Sequence, residues 1–558
     1  MRVEHISREE IRELQTLSPF ELKGKLIELA GVHEATSGFH MLNAGRGNPN
    51  FIAPTPREAF FRLGSFALHE SRRDAEWDVE LVGVPQKEGI GARFRVWLGA
   101  HKGDGGVDLL ERTLEWGVSE LGFDEDAFVW ELSDSIIGDH YPTPNRMLEH
   151  NEAVVREYLI QEMCGGEGPS EGVYDLFATE GGTAAMTYLF NTLRANRLMH
   201  QGDRVAVMTP IFTPYLEITE LAEFDFDQVH IQASVTADDG QHLWQFPDEE
   251  IDKLRDPSVK LLYCVNPTNP PSVRIAGETL DRVASIVEND NPDLMIITDD
   301  VYGTFIDGFR SLMSALPHNT ATVYSYSKYF GATGWRLGVI AVHSDNVFDR
   351  RLDALSGADK NDLDERYSSL TLTPRAIRFI DRLVADSRNV ALNHTAGLSL
   401  PQQCQMLLFS AYCLLDQDNH YKQHAQALIR TRLEAMIRTA KLTMPDDPNR
   451  VGYYSELDFL VWAKEEHGQA FLDFLEANYE PTDMLFRLAE QTGVVLLNGS
   501  GFDGPEWSVR VSLANLDDSD YETIGAALVD MADEYVEEWK ASSDGLRRPG
   551  SSAGPEDR

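Results

Sequence analysis

The chain has 558 residues, of which 42% are hydrophobic and 25% charged, a composition typical of a globular protein large enough for more than one domain. Its formal net charge of −42 disfavours nucleic acid and anionic membranes as partners, because both are bound through basic surfaces. The sequence contains no apolar run near the roughly 18 residues that span a membrane. The charged segment 1–31 lacks the apolar centre of a signal peptide, so we expect a cytoplasmic protein.

The N-terminal part predicts two helices followed by a glycine-rich loop. Ser7 and Ser18 each precede a glutamate by three residues, which is the spacing of a helix-capping box, and the second serine is followed by proline. The loop "NAGRGNPNF" occupies residues 43–51, and the long stretch 60–135 carries no motif that indicates a function.

Seven short β-rich runs follow residue 146, most of them separated by segments long enough for a crossover helix. This alternation predicts a mainly parallel seven-stranded sheet covered by helices on both faces. The chain is more helical beyond residue 400, and its Ser/Gly/Pro-rich end predicts a disordered tail. The runs are LFAT (176–179), RVAVM (204–208), VHIQ (229–232), KLLYCV (260–265), LMIIT (294–298), ATVYS (321–325) and LGVIAV (337–342).

Polar and aromatic residues end or follow five of these runs, at the sheet edge where α/β proteins bind ligands. Together they offer an amine, a carboxylate, an amide and a phenol, an aromatic ring, and a glycine turn before a helix that can hold an anion. Pyridoxal 5′-phosphate needs each of these groups, and no zinc or disulfide pattern competes with this interpretation. The residues are Gly181, Gly182, Thr183, Phe212, Asn269, Asp299, Tyr302, Ser325 and Lys328.

The segment "SKYFGATGWRLG" at 327–338, taken with these residues, resembles the fold-type I pyridoxal-phosphate enzymes of the aspartate aminotransferase superfamily. The resemblance implies that Lys328 bonds covalently to the cofactor and moves the α-proton of the substrate. It implies that Asp299 faces the pyridine nitrogen. It also implies that Tyr302 lies near the phenolate oxygen of the cofactor, that Asn269 donates a hydrogen bond to this oxygen, and that Phe212 stacks on the pyridine ring.

The same resemblance implies which residues bind the cofactor phosphate and the substrate α-carboxylate. The cofactor phosphate is assigned to Arg336, Ser325 and the turn Gly181–Thr183, and the α-carboxylate of the substrate to Arg510 in "VRVSLA". Tyr141 in "DHYPTP" is assigned to the phosphate of a neighbouring subunit, which implies at least a homodimer. No metal is expected.

The implied fold is a large α/β domain that carries the cofactor and a smaller α/β domain built from both chain ends. On this basis we assign residues 1–60 to N-terminal helices and an active-site loop, and residues 61–140 to an insertion. The large domain is assigned to residues 141–400, the small domain to residues 401–540 and a tail to residues 541–558.

Three features resemble the aspartate 4-decarboxylase branch of the superfamily. They are the Pro-Pro-Ser after Asn269, the loop "NAGRGNPNF", and the 96 positions that separate Gly45 from Tyr141. This branch converts L-aspartate to L-alanine and CO2 with minor aminotransferase activity, uses a 2-oxo acid such as pyruvate for reactivation, and assembles dimers into a larger homo-oligomer. Arg46 is a candidate for orienting the distal carboxylate; an equally acceptable interpretation pairs it with surface acids.

Three other functions are compatible with parts of the sequence. An aminotransferase acting on aspartate or another amino acid without decarboxylation would share every cofactor motif. A transcription regulator with an aminotransferase-like sensor domain would need a basic DNA-binding segment, for which residues 1–40 are too short and the chain too acidic. A catalytically silent scaffold would have no need for Lys328, Asp299 or the arginines.

The four cysteines are too few and too unevenly spaced for a disulfide framework, a zinc ribbon or a redox CxxC motif. We expect them to be reduced and mostly buried. They are Cys164, Cys264, Cys404 and Cys413.

Overall fold

The computed structural model describes residues 6–38, 40–73, 81–140, 146–238, 240–392 and 397–546. Within these ranges the chain forms an α/β structure of 12 strands and 21 α-helices. No helix among the described residues is both long enough and apolar enough to cross a membrane.

The strands are β1 (Leu42–Asn43), β2 (Tyr174–Thr179), β3 (Arg204–Thr209), β4 (Asp227–Gln232), β5 (Val259–Val265), β6 (Met295–Asp299), β7 (Thr320–Ser325), β8 (Gly338–His343), β9 (Tyr454–Asp458), β10 (Val494–Val495), β11 (Leu497–Asn498) and β12 (Ser508–Ser512).

The helices of the first half are α1 (Arg8–Leu14), α2 (Pro19–Ser37), α3 (Pro54–Arg73), α4 (Ile90–Ala100), α5 (Val107–Ser119), α6 (Glu125–Ile136), α7 (Glu149–Met163), α8 (Gly182–Ala195), α9 (Thr213–Glu220), α10 (Asp248–Ile251) and α11 (Gly277–Asn289).

The helices of the second half are α12 (Leu312–Ala315), α13 (Val347–Ala354), α14 (Gly357–Tyr367), α15 (Phe379–Ser387), α16 (Leu400–Leu414), α17 (His420–Thr439), α18 (Phe459–His467), α19 (Gln469–Asn478), α20 (Asp483–Thr492) and α21 (Asp518–Leu546). Short 3-10 helices occur at Asp252–Arg255, Gly303–Phe305, Thr333–Trp335, Pro374–Ala376 and Ser500–Phe502.

The central sheet has seven strands in the order β2-β8-β7-β6-β5-β3-β4, so each of the seven predicted runs became a strand of one sheet. Only β8 runs antiparallel to its neighbours β2 and β7, which confirms the mainly parallel arrangement. Side chains alternate between two cores: Val205 and Leu261 pack into one, and Ala206 and Leu262 into the other. This period of two places apolar side chains on both faces, as in a sheet covered by helices on each side.

Both chain ends build the smaller part of the molecule, as predicted. β1 pairs in parallel with β10 through Leu42 and Val494, and α2 packs against α20. A three-stranded antiparallel sheet, β11-β12-β9, lies in the same region. Both predicted helix starts are confirmed, since Ser7 accepts a hydrogen bond from the backbone N–H of Glu10 and Pro19 opens α2. The capping box predicted at Ser18 is wrong, because its side chain forms no capping hydrogen bond within the described residues.

The stretch without motifs is helical and has a core of its own. Helices α3 to α6 bury Phe66, Phe94 and Leu110 together, and α16 closes this core with Cys404 and Leu407. α21 continues to Leu546 and so extends into the predicted tail, whose residues 547–558 lie outside the described residues. The assignment of these segments to separate domains stays a prediction.

Candidate active site

Lys328 lies in a cavity of about 150 Å³ at the carboxyl end of the central sheet. It follows β7 by three residues, and its Nζ donates a hydrogen bond of 2.8 Å to the carbonyl oxygen of Gly47. The glycine-rich N-terminal loop therefore reaches across to the lysine. The cavity is lined by Gly182, Thr183, Phe212, Tyr215, Val265, Asn269, Asp299, Val301, Tyr302, Ser325, Ser327, Lys328, Thr333, Arg336 and Tyr454.

Asp299 ends β6 on the buried floor of this cavity. Its Oδ2 accepts a 2.6 Å hydrogen bond from the hydroxyl of Tyr215, and its Oδ1 accepts one of 3.2 Å from the backbone N–H of Val301. Burial raises the pKa of Asp299, while the two hydrogen bonds and the charge of Lys328 oppose that rise. A cationic N–H partner would stabilise this buried carboxylate in its charged form.

Another part of the cavity lining is built to hold an anion. Gly182 starts α8, so the N-terminus of this helix opens on the cavity beside Thr183 and Ser325. Arg336 donates to the carbonyl oxygen of Glu180 over 3.1 Å. Gly181 has a φ of 95°, a backbone conformation that favours glycine, and the Arg336 guanidinium fills the space that a Cβ would occupy.

Arg510 is a buried arginine, 1% exposed, on β12 beside the cavity. It donates to Oδ1 of Asn269 over 3.3 Å and to the carbonyl oxygen of Gly45 over 3.1 Å. Its Nε is buried and has no hydrogen-bond partner among the described residues. An unsatisfied donor on a buried guanidinium favours a carboxylate ligand.

Tyr454 is a site residue that the sequence did not reveal. Its ring lies 4.4 Å from the Arg510 guanidinium, and its hydroxyl accepts a 3.2 Å hydrogen bond from Tyr302. Burial raises its pKa, but the charges of Lys328 and Arg510, together with hydrogen bonds to Tyr302 and Lys328, lower it below the ordinary tyrosine value. Burial raises the pKa of Tyr302 well above that value. No motif marks Tyr454, since β9 reaches the site only through its pairing with β12.

The structure does not place every predicted site residue in the cavity. Phe212 lines the wall, and its ring meets that of Tyr215 edge-on at 5.3 Å. Arg46 is exposed, and within the described part of the chain it lines none of the cavity around Lys328. Its charge acts on Lys23, whose pKa is lowered first by burial and then by Arg510 and Arg46. Tyr141 lies outside the described residues.

These features fit pyridoxal 5′-phosphate. Lys328 would supply the amine, Asp299 a buried carboxylate that favours a protonated ring nitrogen, and the α8 N-terminus with Arg336 a cradle for the phosphate. Asn269 and Tyr302 also line the cavity and add an amide and a phenol as hydrogen-bonding groups. The fold and the site therefore define a pyridoxal-phosphate enzyme of fold type I.

The comparison with known families agrees. Residues 170–528 match the family model described as aminotransferase class I and II, and the chain belongs to this family, whose enzymes depend on pyridoxal 5′-phosphate. The chain is 50% identical over 531 residues to a Pseudomonas sp. protein named bifunctional aspartate aminotransferase and L-aspartate beta-decarboxylase. That match covers 95% of this chain and 98% of the relative. An aspartate aminotransferase of Pyrococcus horikoshii is 26% identical over 43% of this chain and 58% of its own length.

Solved structures share the fold. A mutant of Thermus thermophilus aspartate aminotransferase aligns with a TM-score of 0.57 and 15% identity over 93% of this chain and 98% of its own. An aromatic aminotransferase of Pyrococcus horikoshii aligns with a TM-score of 0.54 and 18% identity over 89% of this chain and 97% of its own. At these identities the likeness concerns the fold alone.

Proposed function

We propose that this protein removes the β-carboxyl group of L-aspartate to form L-alanine and CO2, with aspartate aminotransferase activity as a minor reaction. The observation that carries the proposal is the meeting of Lys328, Asp299 and Arg336 in one cavity beside the buried Arg510. The choice of reaction is supported by the relative that is 50% identical over 95% of the chain and whose name includes both activities.

Pyridoxal 5′-phosphate, when bound, supplies an aldehyde that condenses with amines and a pyridinium ring that accepts electrons. Lys328 is the amine that would hold it, and once displaced by the substrate amine it is the base that takes the proton from the α-carbon. Asp299 would keep the ring nitrogen protonated, because a cationic N–H stabilises a buried carboxylate more than a neutral nitrogen does.

Arg510 would bind the α-carboxylate of aspartate. Its two terminal nitrogens already point toward Asn269 and the Gly45 loop, and its buried Nε lacks a partner within the described residues. A carboxylate between these groups would satisfy the guanidinium in a paired geometry and fix the substrate amine toward Lys328.

The overall reaction exchanges the distal carboxyl group for hydrogen. The bond between Cβ and the carboxyl carbon breaks, CO2 leaves, and Cβ takes up one proton. A site that held the distal carboxylate tightly would stabilise the substrate more than the transition state, in which the negative charge leaves the carboxyl group. Arg46, exposed on the glycine-rich loop, is our candidate for orienting that group without burying it in a strong ion pair.

The proposal also includes a 2-oxo acid as a second substrate and an assembly of several subunits. A 2-oxo acid such as pyruvate would restore the enzyme after an aminotransferase turnover, since that turnover leaves the amino group on the cofactor. Tyr141 is proposed to reach the cofactor phosphate of a neighbouring subunit, in a homodimer that assembles further. The cytoplasmic location stays a prediction.

The test supplies cofactor-loaded protein with L-aspartate and a trace of pyruvate, and follows the products by proton NMR over many turnovers. We expect alanine far in excess of the added pyruvate, accompanied by CO2. Alanine limited to the pyruvate supplied, with matching oxaloacetate, would establish the alternative, an aminotransferase without decarboxylation. The Lys328→Ala variant is the control and should form neither product above background.

A further inference from the structure

Glu456 is a buried carboxyl group on β9 that has no part in the chemistry proposed above. It lies directly opposite Arg510 on β12 in the antiparallel register, and opposite residues of two such strands present their side chains on the same face. Among the described residues, Glu456 lines no part of the cavity around Lys328. Any effect of Glu456 on the substrate must therefore pass through Arg510.

The hydrogen bonds around Glu456 are those of a neutral carboxylic acid. Ser508 Oγ lies 2.8 Å from Glu456 Oε1 and 2.8 Å from the carbonyl oxygen of Pro505. The hydroxyl has one proton and a carbonyl oxygen only accepts, so both contacts are hydrogen bonds at once only when Glu456 carries a proton and donates it to Ser508. Glu456 Oε2 is buried with no donor among the described residues, which costs a carboxylate more than a neutral carboxyl group.

The loop between β11 and β12 closes over this carboxyl group. Glu456 Oε1 fills the space that a Cβ would occupy at Gly499 and at Gly504. The backbone thus approaches the oxygen closely and takes the place of the water that would stabilise a negative charge there. The packing favours the neutral form of Glu456, as its hydrogen bonds do.

The electrostatics of this site agree with its geometry. Burial raises the pKa of Glu456 from 4.5 to about 8, and the charge of Asp458 adds to the rise, whereas the hydrogen bond with Ser508 and the charge of Arg510 oppose it. Glu456 is therefore mostly neutral near neutral pH and ionises in mildly alkaline solution. Asp458 itself contacts His242 over 2.9 Å. The charged and titratable groups around Glu456 are Arg510, Asp458, Tyr454, His242, Arg450 and Asp503.

We propose that Glu456 is a positioning residue for substrate binding, whose neutral carboxyl group leaves the whole charge of Arg510 to the α-carboxylate of the substrate. When Glu456 loses its proton, its negative charge attracts the guanidinium and repels the substrate carboxylate, so the substrate binds more weakly. The buried Nε of Arg510, which has no partner among the described residues, is then a donor for which the two carboxylates compete. This inference rests on the proposed function, in which Arg510 binds the α-carboxylate of aspartate.

The test measures the binding of succinate, which has the two carboxylates of aspartate but no amine and so does not react with the cofactor. Calorimetric titration of the holoenzyme in buffers of different ionisation enthalpy gives the affinity and the number of protons taken up. A carboxylate on Arg510 makes Glu456 hold its proton more tightly, so binding at about pH 8 should take up a large fraction of one proton. The affinity should fall roughly fivefold between about pH 7 and about pH 9, as Glu456 ionises in the free enzyme.

One variant and a matched control assign these effects to Glu456. Glu456→Gln keeps the shape of the neutral acid and cannot ionise, so it should bind succinate within about twofold of the wild type at about pH 7 and lose both the proton uptake and the alkaline fall. Glu522→Gln removes an exposed ion pair with Arg438 and one negative charge, and should retain both effects. Infrared difference spectra between wild type and Glu456→Gln should show the band of a protonated carboxyl group near neutral pH. Equal unfolding temperatures of the three proteins verify folding.

A proton uptake and a pH dependence that Glu456→Gln leaves unaltered would overturn the proposal, and the absence of proton uptake by the wild type would do so without any variant. Succinate binding that Arg510→Lys leaves unaltered would remove Arg510, and with it Glu456, from substrate binding. Alanine limited to the pyruvate supplied would count against decarboxylation alone, because an aminotransferase binds the same α-carboxylate. Failure of this proposal and failure of the proposed function are therefore distinguishable.

Discussion

Tyr215 and Asp299 share a buried hydrogen bond in which the phenol donates to the carboxylate over 2.6 Å. Burial raises the pKa of Tyr215 well above the tyrosine value, and the negative charge of Asp299 raises it further, so the phenol keeps its proton. The bond in turn opposes the rise in the Asp299 pKa that burial causes. The tyrosine thus helps the aspartate remain charged, as its proposed role toward the ring nitrogen of the cofactor requires.

Tyr215→Phe should weaken this arrangement. Loss of one hydrogen bond to a buried charge costs about 1.5–3 kcal/mol, so the affinity for pyridoxal 5′-phosphate should fall roughly 10- to 100-fold. Equilibrium dialysis of the cofactor measures the effect. Tyr263→Phe is a matched control, because that hydroxyl donates to the Tyr215 backbone carbonyl and does not contact Asp299. Equal losses in both variants would assign the effect to packing.

Arg510→Lys should separate substrate binding from cofactor binding. Lysine keeps the charge but cannot form a forked contact with a carboxylate, so kcat/KM for aspartate should fall roughly 10- to 100-fold while the cofactor spectrum is unchanged. Arg432→Lys is a control at another buried arginine, which pairs with Asp518 over 2.8 Å. A normal kcat/KM for Arg510→Lys would remove Arg510 from the substrate site.

The sequence predicted those parts of the fold and site that local patterns encode. The seven strands are short β-rich runs. Asp299 ends β6, and Lys328 and Arg336 follow β7 in the chain, so all three reach the cavity at the edge of the sheet where these strands end. Tyr454 was missed because its place depends on the register of β9 against β12, a contact between residues more than 50 positions apart. The packing of α3 to α6 on α16 was also missed, since the apolar face of a helix does not specify its partner.

Arg46→Ala tests the candidate for the distal carboxylate. If Arg46 orients this group, aspartate turnover should fall by roughly tenfold while the cofactor dissociation constant stays within about twofold, because the residue lines no part of the cofactor cavity among the described residues. Both constants are measured on the same preparation. Small and equal effects would assign Arg46 to the solvent-exposed loop surface.

Tyr454→Phe should remove a phenol that ionises at lower pH than its neighbours. The charges of Lys328 and Arg510 lower the Tyr454 pKa against the effect of burial, whereas burial raises that of Tyr453 well above the ordinary value. Ultraviolet difference titration of the cofactor-free protein should therefore lack one early phenolate step in Tyr454→Phe. Tyr453→Phe should retain this step. A titration identical to the wild type would contradict the electrostatic coupling to Lys328.

Asp300→Asn tests the second buried carboxyl group of the "TDDVY" segment. Burial raises the pKa of Asp300 from 3.8 to about 7, although hydrogen bonds from Ser311 and Thr298 oppose the shift. The folded state then binds this proton more tightly than the unfolded state does. Its stabilising contribution is complete below the unfolded value of 3.8 and is lost as the pH rises through about 7.

The Asp300→Asn variant lacks this titrating group, so its free energy of unfolding should depend differently on pH. One proton accounts for a slope of up to about 1.4 kcal/mol per pH unit, so the free energy of unfolding of Asp300→Asn should decline less steeply than that of the wild type between the two pKa values. Urea unfolding at a series of pH values measures the slope. Asp281→Asn, at an exposed ion pair with Arg310, controls for the loss of one negative charge and should keep the wild-type slope. A slope unchanged in Asp300→Asn would mean that Asp300 does not hold its proton in the folded protein.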